Sequence, residues 1–183
     1  MSELEALKKV LPKASRGLEI GVGTGRFASA LRITMGIDPS YAMMELAIER
    51  GVNVRRGAGE DLPFFENTFD YAAIIITLCF VKDPVKVLKE AGRVLKKHGK
   101  LIIGIIDKDS FLGKFYQRKK SIFYKHAKFF SVKELVNLLK AAGFSRFTHY
   151  QTVFYLPEKI NSIEKSKRGF GEGGFVVTAG EKK

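Results

Sequence analysis

Cysteine occurs once in this sequence and tryptophan not at all, prolines number five, and acids are outnumbered by bases 19 to 32. A lone cysteine excludes an internal disulfide, so the expected compartment is the reducing cytoplasm. No apolar run is long: residues 71–81 fall short of the roughly 20 that a membrane-spanning helix requires. The first twelve residues mix Glu3, Glu5, Lys8 and Lys9 with leucines at helical spacing, so they lack the apolar centre of a signal peptide. Neither a membrane nor a metal enters the expected chemistry. The shortage of acids leaves a formal charge of +13. An anionic partner such as RNA would account for it, and so would a Lys-rich solvated surface. The aromatic and glycine patterns of the familiar RNA-binding modules are missing, which favours the surface. At this length one domain with a real core is expected, covering residues 1–183.

What the chain does have is concentrated in Leu18-Glu19-Ile20-Gly21-Val22-Gly23-Thr24-Gly25-Arg26-Phe27. An apolar run ends in three glycines at alternate positions and passes at once into residues that suit a helix. This predicts a buried strand, a tight turn of bare backbone on which a ligand can lie, and a helix whose N-terminal N–H groups face that ligand. The dinucleotide fingerprint would place its third glycine where Arg26 stands, and the phosphate loop G-x-x-x-x-G-K-[ST] is absent, so phosphate binding is disfavoured. Glu19 points the same way, since a carboxylate there would repel a pyrophosphate and suit an ammonium group. The pattern E-x-G-x-G-x-G resembles the first motif of class I S-adenosylmethionine-dependent methyltransferases, whose cofactor carries an amino group and a sulfonium and no phosphate.

Further sites follow in order. Residues 33–37 read as a second strand ending at Asp38, 17 residues after Gly21, where a carboxylate can accept hydrogen bonds from both hydroxyls of a ribose; a helix N-cap is the alternative role. Residues 57–64, Gly-Ala-Gly-Glu-Asp-Leu-Pro-Phe, form an irregular loop suited to closing over a flat ring. With Phe69-Asp70 and the apolar strand after it, this loop is similar to the Gly-Asp-Ala-Glu-x-Leu-Pro-Phe segment of small-molecule class I methyltransferases. Ala58 replaces the aspartate that often bonds the adenine amino group, so that bond comes from Glu60, Asp61 or backbone, or is missing. Residues 94–101 look like the family's helix-to-strand joint, with Gly99 closing the helix and His98 in its last turn. The resemblance runs from about residue 18 to 107. It implies a doubly wound α/β fold, a seven-stranded sheet in the order 3-2-1-4-5-7-6, mostly parallel with the last strand antiparallel, and helices on both faces. It also implies S-adenosylmethionine as cofactor, with Glu19, Gly21, Gly23, Gly25, Asp38, Gly59, Glu60, Asp61 and Thr77 around it, Thr77 lying at the carboxyl edge of the sheet. The last two strands are expected at residues 151–155 and 175–178.

Residues 108–128 break the alternation of strand and helix. Lys108, Lys114, Arg118, Lys119, Lys120, Lys125 and Lys128 face the single acid Asp109, with Phe111, Phe115, Tyr116, Phe123 and Tyr124 between them. This reads as a lid-like insertion over the acceptor site, at about 108–130, whose aromatics exclude water and whose cations draw in an anionic acceptor, or as an amphipathic helix with its lysines in solvent. The expected activity is methyl transfer by in-line displacement to a small molecule, with an RNA-directed enzyme or RNA-binding module as the alternative. No catalytic residue is fixed. His126, His149, Tyr116 and Tyr124 are the available bases. Cys79, in apolar company, is expected to be an inert core thiol.

Overall fold

A computed structural model describes residues 1–13, 15–119, 124, 126–156, 158 and 162–183. The chain begins with α1 (Glu3–Lys8) and then alternates: β1 (Gly17–Ile20), α2 (Arg26–Leu31), β2 (Met35–Asp38), α3 (Tyr41–Glu49), β3 (Asn53–Arg56), β4 (Phe69–Ile75), α4 (Pro84–Val94) and β5 (Leu95–Ile106). After β5 come α5 (Phe111–Arg118), α6 (Val132–Ala141), β6 (Phe144–Thr152), β7 (Lys167–Arg168) and β8 (Phe175–Lys182).

The strands form one sheet in the order β3-β2-β1-β4-β5-β8-β6-β7. β1 to β5 are parallel, and β8 runs antiparallel between β5 and β6. This is the expected order with one addition, the two-residue β7 on the outer side of β6. Alternation along the strands feeds two cores. Leu18, Ile20, Ala72, Ile74, Leu101 and Ile103 pack toward Val87, Leu88 and Ala91 of α4 and Leu135 and Leu139 of α6. Tyr71, Ala73, Ile75 and Ile102 share the opposite face with Ala6 and Leu7 of α1, Ala28 of α2 and Ala47 of α3. Each helix thus buries one stripe against the sheet, the arrangement a parallel sheet requires because both its faces are apolar.

Local chemistry sets several boundaries. The Asp83 carboxylate accepts the Lys86 N–H at 3.0 Å with Pro84 in the first turn, which fixes the start of α4. At α6 the capping box is complete: Ser131 Oγ accepts from Glu134 N–H at 3.2 Å, and Glu134 Oε2 accepts from Ser131 N–H at 2.8 Å.

Two expectations fail here. α4 stops at Val94, not Gly99, because Leu95 already pairs with Phe69; the register shift between Phe69 and Tyr71 accommodates the extra residues before pairing resumes at Lys100. His98 is therefore in a strand at φ +62°, and its Nδ1 lies 2.9 Å from Glu181 Oε1; it serves no helix terminus. β6 spans Phe144–Thr152 and not residues 151–155: its pairing with β8 runs from Phe144 opposite Lys182 to Thr152 opposite Phe175, and Val153, at φ +60°, is already outside the strand.

Candidate active site

The three glycines do what their spacing requires. Gly21, Gly23 and Gly25 have φ of +72°, +53° and +75°. At Gly21 the lack of a side chain is also steric, since a Cβ would collide with Thr77 Cγ2. Thr77 Oγ1 donates to the Gly21 carbonyl at 3.0 Å, and the Gly21 and Val22 N–H groups both reach Ile37 O at 2.9 Å, so the turn is tied to β2 and β4 at once.

Asp38 completes this clamp. Its Oδ2 accepts the Gly23 N–H at 2.8 Å and its Oδ1 the Ser40 N–H at 2.9 Å, and the residue is only 7% exposed. The cap-like role and the pocket-facing role are thus compatible, because each carboxylate oxygen keeps a further lone pair. Gly57, Ala58 and Gly59 form the opposite wall, and Glu60 Oε1 accepts the N–H groups of Lys82 and Asp83 at 3.0 and 3.3 Å, joining this loop to the entry of α4. Between these walls is a cavity of ≈ 610 Å³, with apolar surface from Ile20, Met43, Phe80 and Val81.

Of the nine residues expected around a cofactor, Gly21, Gly23, Asp38, Gly59, Glu60 and Thr77 line this cavity; Glu19, Gly25 and Asp61 stand off its wall. Strand alternation explains Glu19: Ile20 faces the cavity, so Glu19 turns to the α2 side. It is 1% exposed, and its Oε2 has no hydrogen-bond partner among the described residues. Burial pushes its pKa up to about 8, and the nearby Ala28 backbone N–H offsets only part of that rise. Gly25 packs under α3, where a Cβ would come within 2.9 Å of Ala47. Asp61 is exposed, in a turn whose N–H reaches Ala58 O at 3.2 Å.

A family profile described as "Methyltransferase domain" matches residues 18–103, the span from β1 into β5 that carries these walls. A crystal structure of a Thermotoga maritima S-adenosylmethionine-dependent methyltransferase, described as a "possible histamine N-methyltransferase", shares 52% identity over all of this chain and 88% of its own, with a TM-score of 0.97. The chain belongs to the S-adenosylmethionine-dependent methyltransferases. An uncharacterised protein of Methanocaldococcus jannaschii is 51% identical over 99% of this methyltransferase and 88% of its own length. A demethylmenaquinone methyltransferase of Staphylococcus aureus is 30% identical over 90% of the chain and 69% of its own. An uncharacterised Mycobacterium tuberculosis protein is 35% identical, with 64% of its length spanned by this methyltransferase.

The residues present fit the cofactor that the family name specifies. Two acidic residues, Asp38 and Glu60, and one basic residue, Lys82, line the 610 Å³ cavity among the described residues. That balance suits a ligand with an ammonium, a sulfonium and ribose hydroxyls better than a phosphate. The volume is in the range of ligand pockets, and the Gly57 to Gly59 wall carries no bulky side chain against a flat ring.

On the far side of the Ile76-Thr77 peptide the methyltransferase has a second cavity, ≈ 570 Å³, floored by Ile76, Ile106, Leu112, Val153 and Phe175. Tyr116 of α5 and Tyr124 reach into it, their ring centroids 4.6 Å apart. The segment is fastened at both ends, by Lys108 N–H to Phe130 O at 3.0 Å and by Lys128 N–H to Cys79 O at 2.8 Å. Its cations go elsewhere: Lys114, Arg118 and Lys119 line a separate open cavity of ≈ 660 Å³ with Phe111 and Phe115. Lys120, Phe123 and Lys125 lie outside the described residues. Among the four candidate bases only the tyrosines line the second cavity. His126 is exposed and lines none of the cavities described here, while His149 sits on β6 with Nδ1 3.0 Å from Thr178 Oγ1, its pKa lowered by burial. Burial raises the Cys79 pKa to about 11, so this thiol stays protonated.

Sequence reasoning missed Ile76 and Val153. Both are β-branched and both hold positive φ, +54° and +60°, in the lining of the second cavity. Backbone of that kind is costly for such side chains and collects at functional sites. No local motif announces it.

Proposed function

We propose that this methyltransferase acts on a small-molecule acceptor, with the cofactor in the 610 Å³ cavity and the acceptor in the 570 Å³ one. The observation that carries the reading is their adjacency: consecutive residues, Ile76 and Thr77, line one cavity each at the carboxyl end of β4. Gly21, Gly23, Asp38, Gly59, Glu60 and Thr77 hold the cofactor, and Glu19, Gly25 and Asp61 support that wall from behind. Bound S-adenosylmethionine supplies a methyl group already activated on a sulfonium. The protein's own task is then to align the acceptor and to exclude water, which its apolar floor and the tyrosines do. The residues around 108–130 serve as the cover of the acceptor space, in a single domain spanning residues 1–183. The S. aureus and T. maritima relatives, whose names specify demethylmenaquinone and histamine, support a small acceptor.

Among the described residues no helix is long and apolar enough to cross a membrane, and a lone thiol suits a cytoplasmic enzyme. A second reading, action on RNA, rests on the basic, aromatic cavity beside Lys114, Arg118 and Lys119. The two part experimentally. Calorimetry is expected to show uptake of S-adenosylmethionine, and a metabolite screen to yield its demethylated product without RNA. No uptake at millimolar concentration overturns the assignment of the cavity, and turnover only with RNA, weakening steeply with salt, replaces the small-molecule reading.

A further inference from the structure

At the amino end of the sheet, a cavity of ≈ 360 Å³ is lined by Lys9 just after α1, Lys100 of β5, Arg146, Thr148 and Tyr150 of β6, and Glu181 of β8. Lys100 precedes Ile102 by two residues and Glu181 follows Ala179 by two, so both belong to the face that packs against α1. Six residues of β5, about 20 Å of strand, separate Lys100 from Ile106 in the lining of the 570 Å³ cavity. The site is thus apart from the one that handles the methyl group.

Its charges do not balance within the protein. Lys100 stands directly opposite Glu181 in the β5–β8 register, where opposite charges ordinarily pair. Glu181 is instead engaged by others, with Oε1 2.9 Å from His98 Nδ1 and 3.4 Å from Arg146 Nη1. Lys100 and Lys9 make no ion pair among the described residues. Two lysines are therefore left at one concavity without a counter-ion from the chain. Arg146 reaches the same lining through a bulge: Ser145 is opposite Glu181 and Thr148 opposite Ala179, so β6 carries one residue more than β8, and Arg146 takes φ +53°. Phe147 covers Gly180, where a Cβ would come within 2.8 Å of its ring, and Arg146 borders the cavity. A bulge of this kind re-aims a side chain.

We propose that this cavity binds a phosphate group, free or carried on a small molecule. A phosphate dianion supplies two charges for the two unpaired lysines, and its terminal oxygens can also accept from the guanidinium and from the Thr148 and Tyr150 hydroxyls. A carboxylate has one charge and fewer oxygens, and leaves part of this donor set unused. Val10 and Ala179, both buried, border the space and keep the local dielectric low, which strengthens the attraction. The basic cavity beside Lys114, Arg118 and Lys119 differs, since Phe111, Phe115, Leu156 and Glu158 complete its lining and no hydroxyl does.

Calorimetry on the whole chain at low salt compares inorganic phosphate, glucose 6-phosphate, glucose and acetate, with and without S-adenosylhomocysteine. At least one phosphate probe is expected to bind saturably and at least about ten-fold more tightly than acetate, with S-adenosylhomocysteine making no difference. Lys9→Gln and Lys100→Gln are each expected to weaken that binding about ten-fold, and Lys114→Gln to leave it intact. All three lysines are exposed, so the variants keep the fold. Equal affinity for the two phosphate probes assigns the site to free phosphate, and tighter binding of glucose 6-phosphate assigns it to a phosphorylated small molecule. No saturable phosphate binding at millimolar concentration, competition by S-adenosylhomocysteine, undiminished affinity in both Lys9→Gln and Lys100→Gln, or an equal loss in Lys114→Gln overturns the proposal. Binding to RNA with no affinity for either phosphate probe overturns it as well.

Discussion

From the end of β1 to the residues before α4, the walls of the 610 Å³ cavity come from short consecutive pieces of chain: residues 20–23, 38–43, 57–60 and 77–82. The 570 Å³ cavity next to it draws single residues from positions 1–3, 76, 106, 112, 116, 124, 153, 162–163 and 175, nearly the whole length of the protein. The first is shaped by backbone, through positive-φ glycines and carboxylates that accept N–H groups. The second is shaped by side chains. A backbone-built wall recognises a fixed ligand and tolerates little change at its glycines. A wall of side chains can be re-lined without moving the fold, so under the proposed assignment the choice of acceptor rests there.

The largest effect that would sharpen this contrast is expected at Gly21. Gly21→Ala forces a left-handed residue with a Cβ into Thr77, and the strain and overpacking together predict about 2 to 5 kcal/mol of lost stability and no measurable cofactor binding. Gly23→Ala, with nothing within 4 Å of its Cβ, should cost only about 1 to 2 kcal/mol. Urea unfolding of both variants decides, and equal costs would mean that turn conformation alone, not contact with β4, governs the site.

The next effect belongs to Glu19. Its folded pKa, about 8, stands above the ordinary 4.5, so between these values the folded protein holds a proton that the unfolded chain releases. Stability from this group is complete below about pH 4.5 and falls as pH rises to about 8, by at most about 1.4 kcal/mol per pH unit. Glu19→Gln is expected to flatten that slope and to leave acceptor affinity unaffected. A slope unchanged in the variant would assign the pH dependence to other groups.

Smaller again, Asp38→Ala removes the acceptor of two N–H groups and should weaken cofactor binding by about 1 to 3 kcal/mol without altering acceptor affinity. Tyr124→Phe should do the reverse at the scale of about 1 kcal/mol or less, raising the acceptor KM while calorimetry with the cofactor product stays unchanged. If both variants moved both ligands equally, the two cavities would be one site.

The cofactor side was legible because its determinants are local. Three glycines, Asp38 and the 57–60 loop each announce themselves within a few residues, and six of the nine expected residues face the cavity. Glu19 misled because a motif gives the residue type while strand alternation decides which face it takes. The β5 boundary misled because Lys96, Lys97 and His98 are exposed in the strand and read as a solvated helix end. The expected strand at 151–155 overlaps β6 only at Gln151 and Thr152, since only Phe144, Gln151 and Thr152 in β6 are buried and its bounds are set by pairing with β8.

By itself, then, the sequence determined the alternating parallel half of the sheet, the glycine turn and the kind of ligand that turn accepts, because periodicity and turn chemistry act over a few residues. Only the tertiary structure decided that Glu19 is buried away from the cavity, that Tyr116 parts from Lys114, Arg118 and Lys119 while Phe111 and Phe115 stay with them, and that Glu3 and Tyr124 share one cavity lining across more than a hundred residues. Such groupings follow from how helices settle on a twisted sheet, a property of the packed whole that no short stretch of residues encodes.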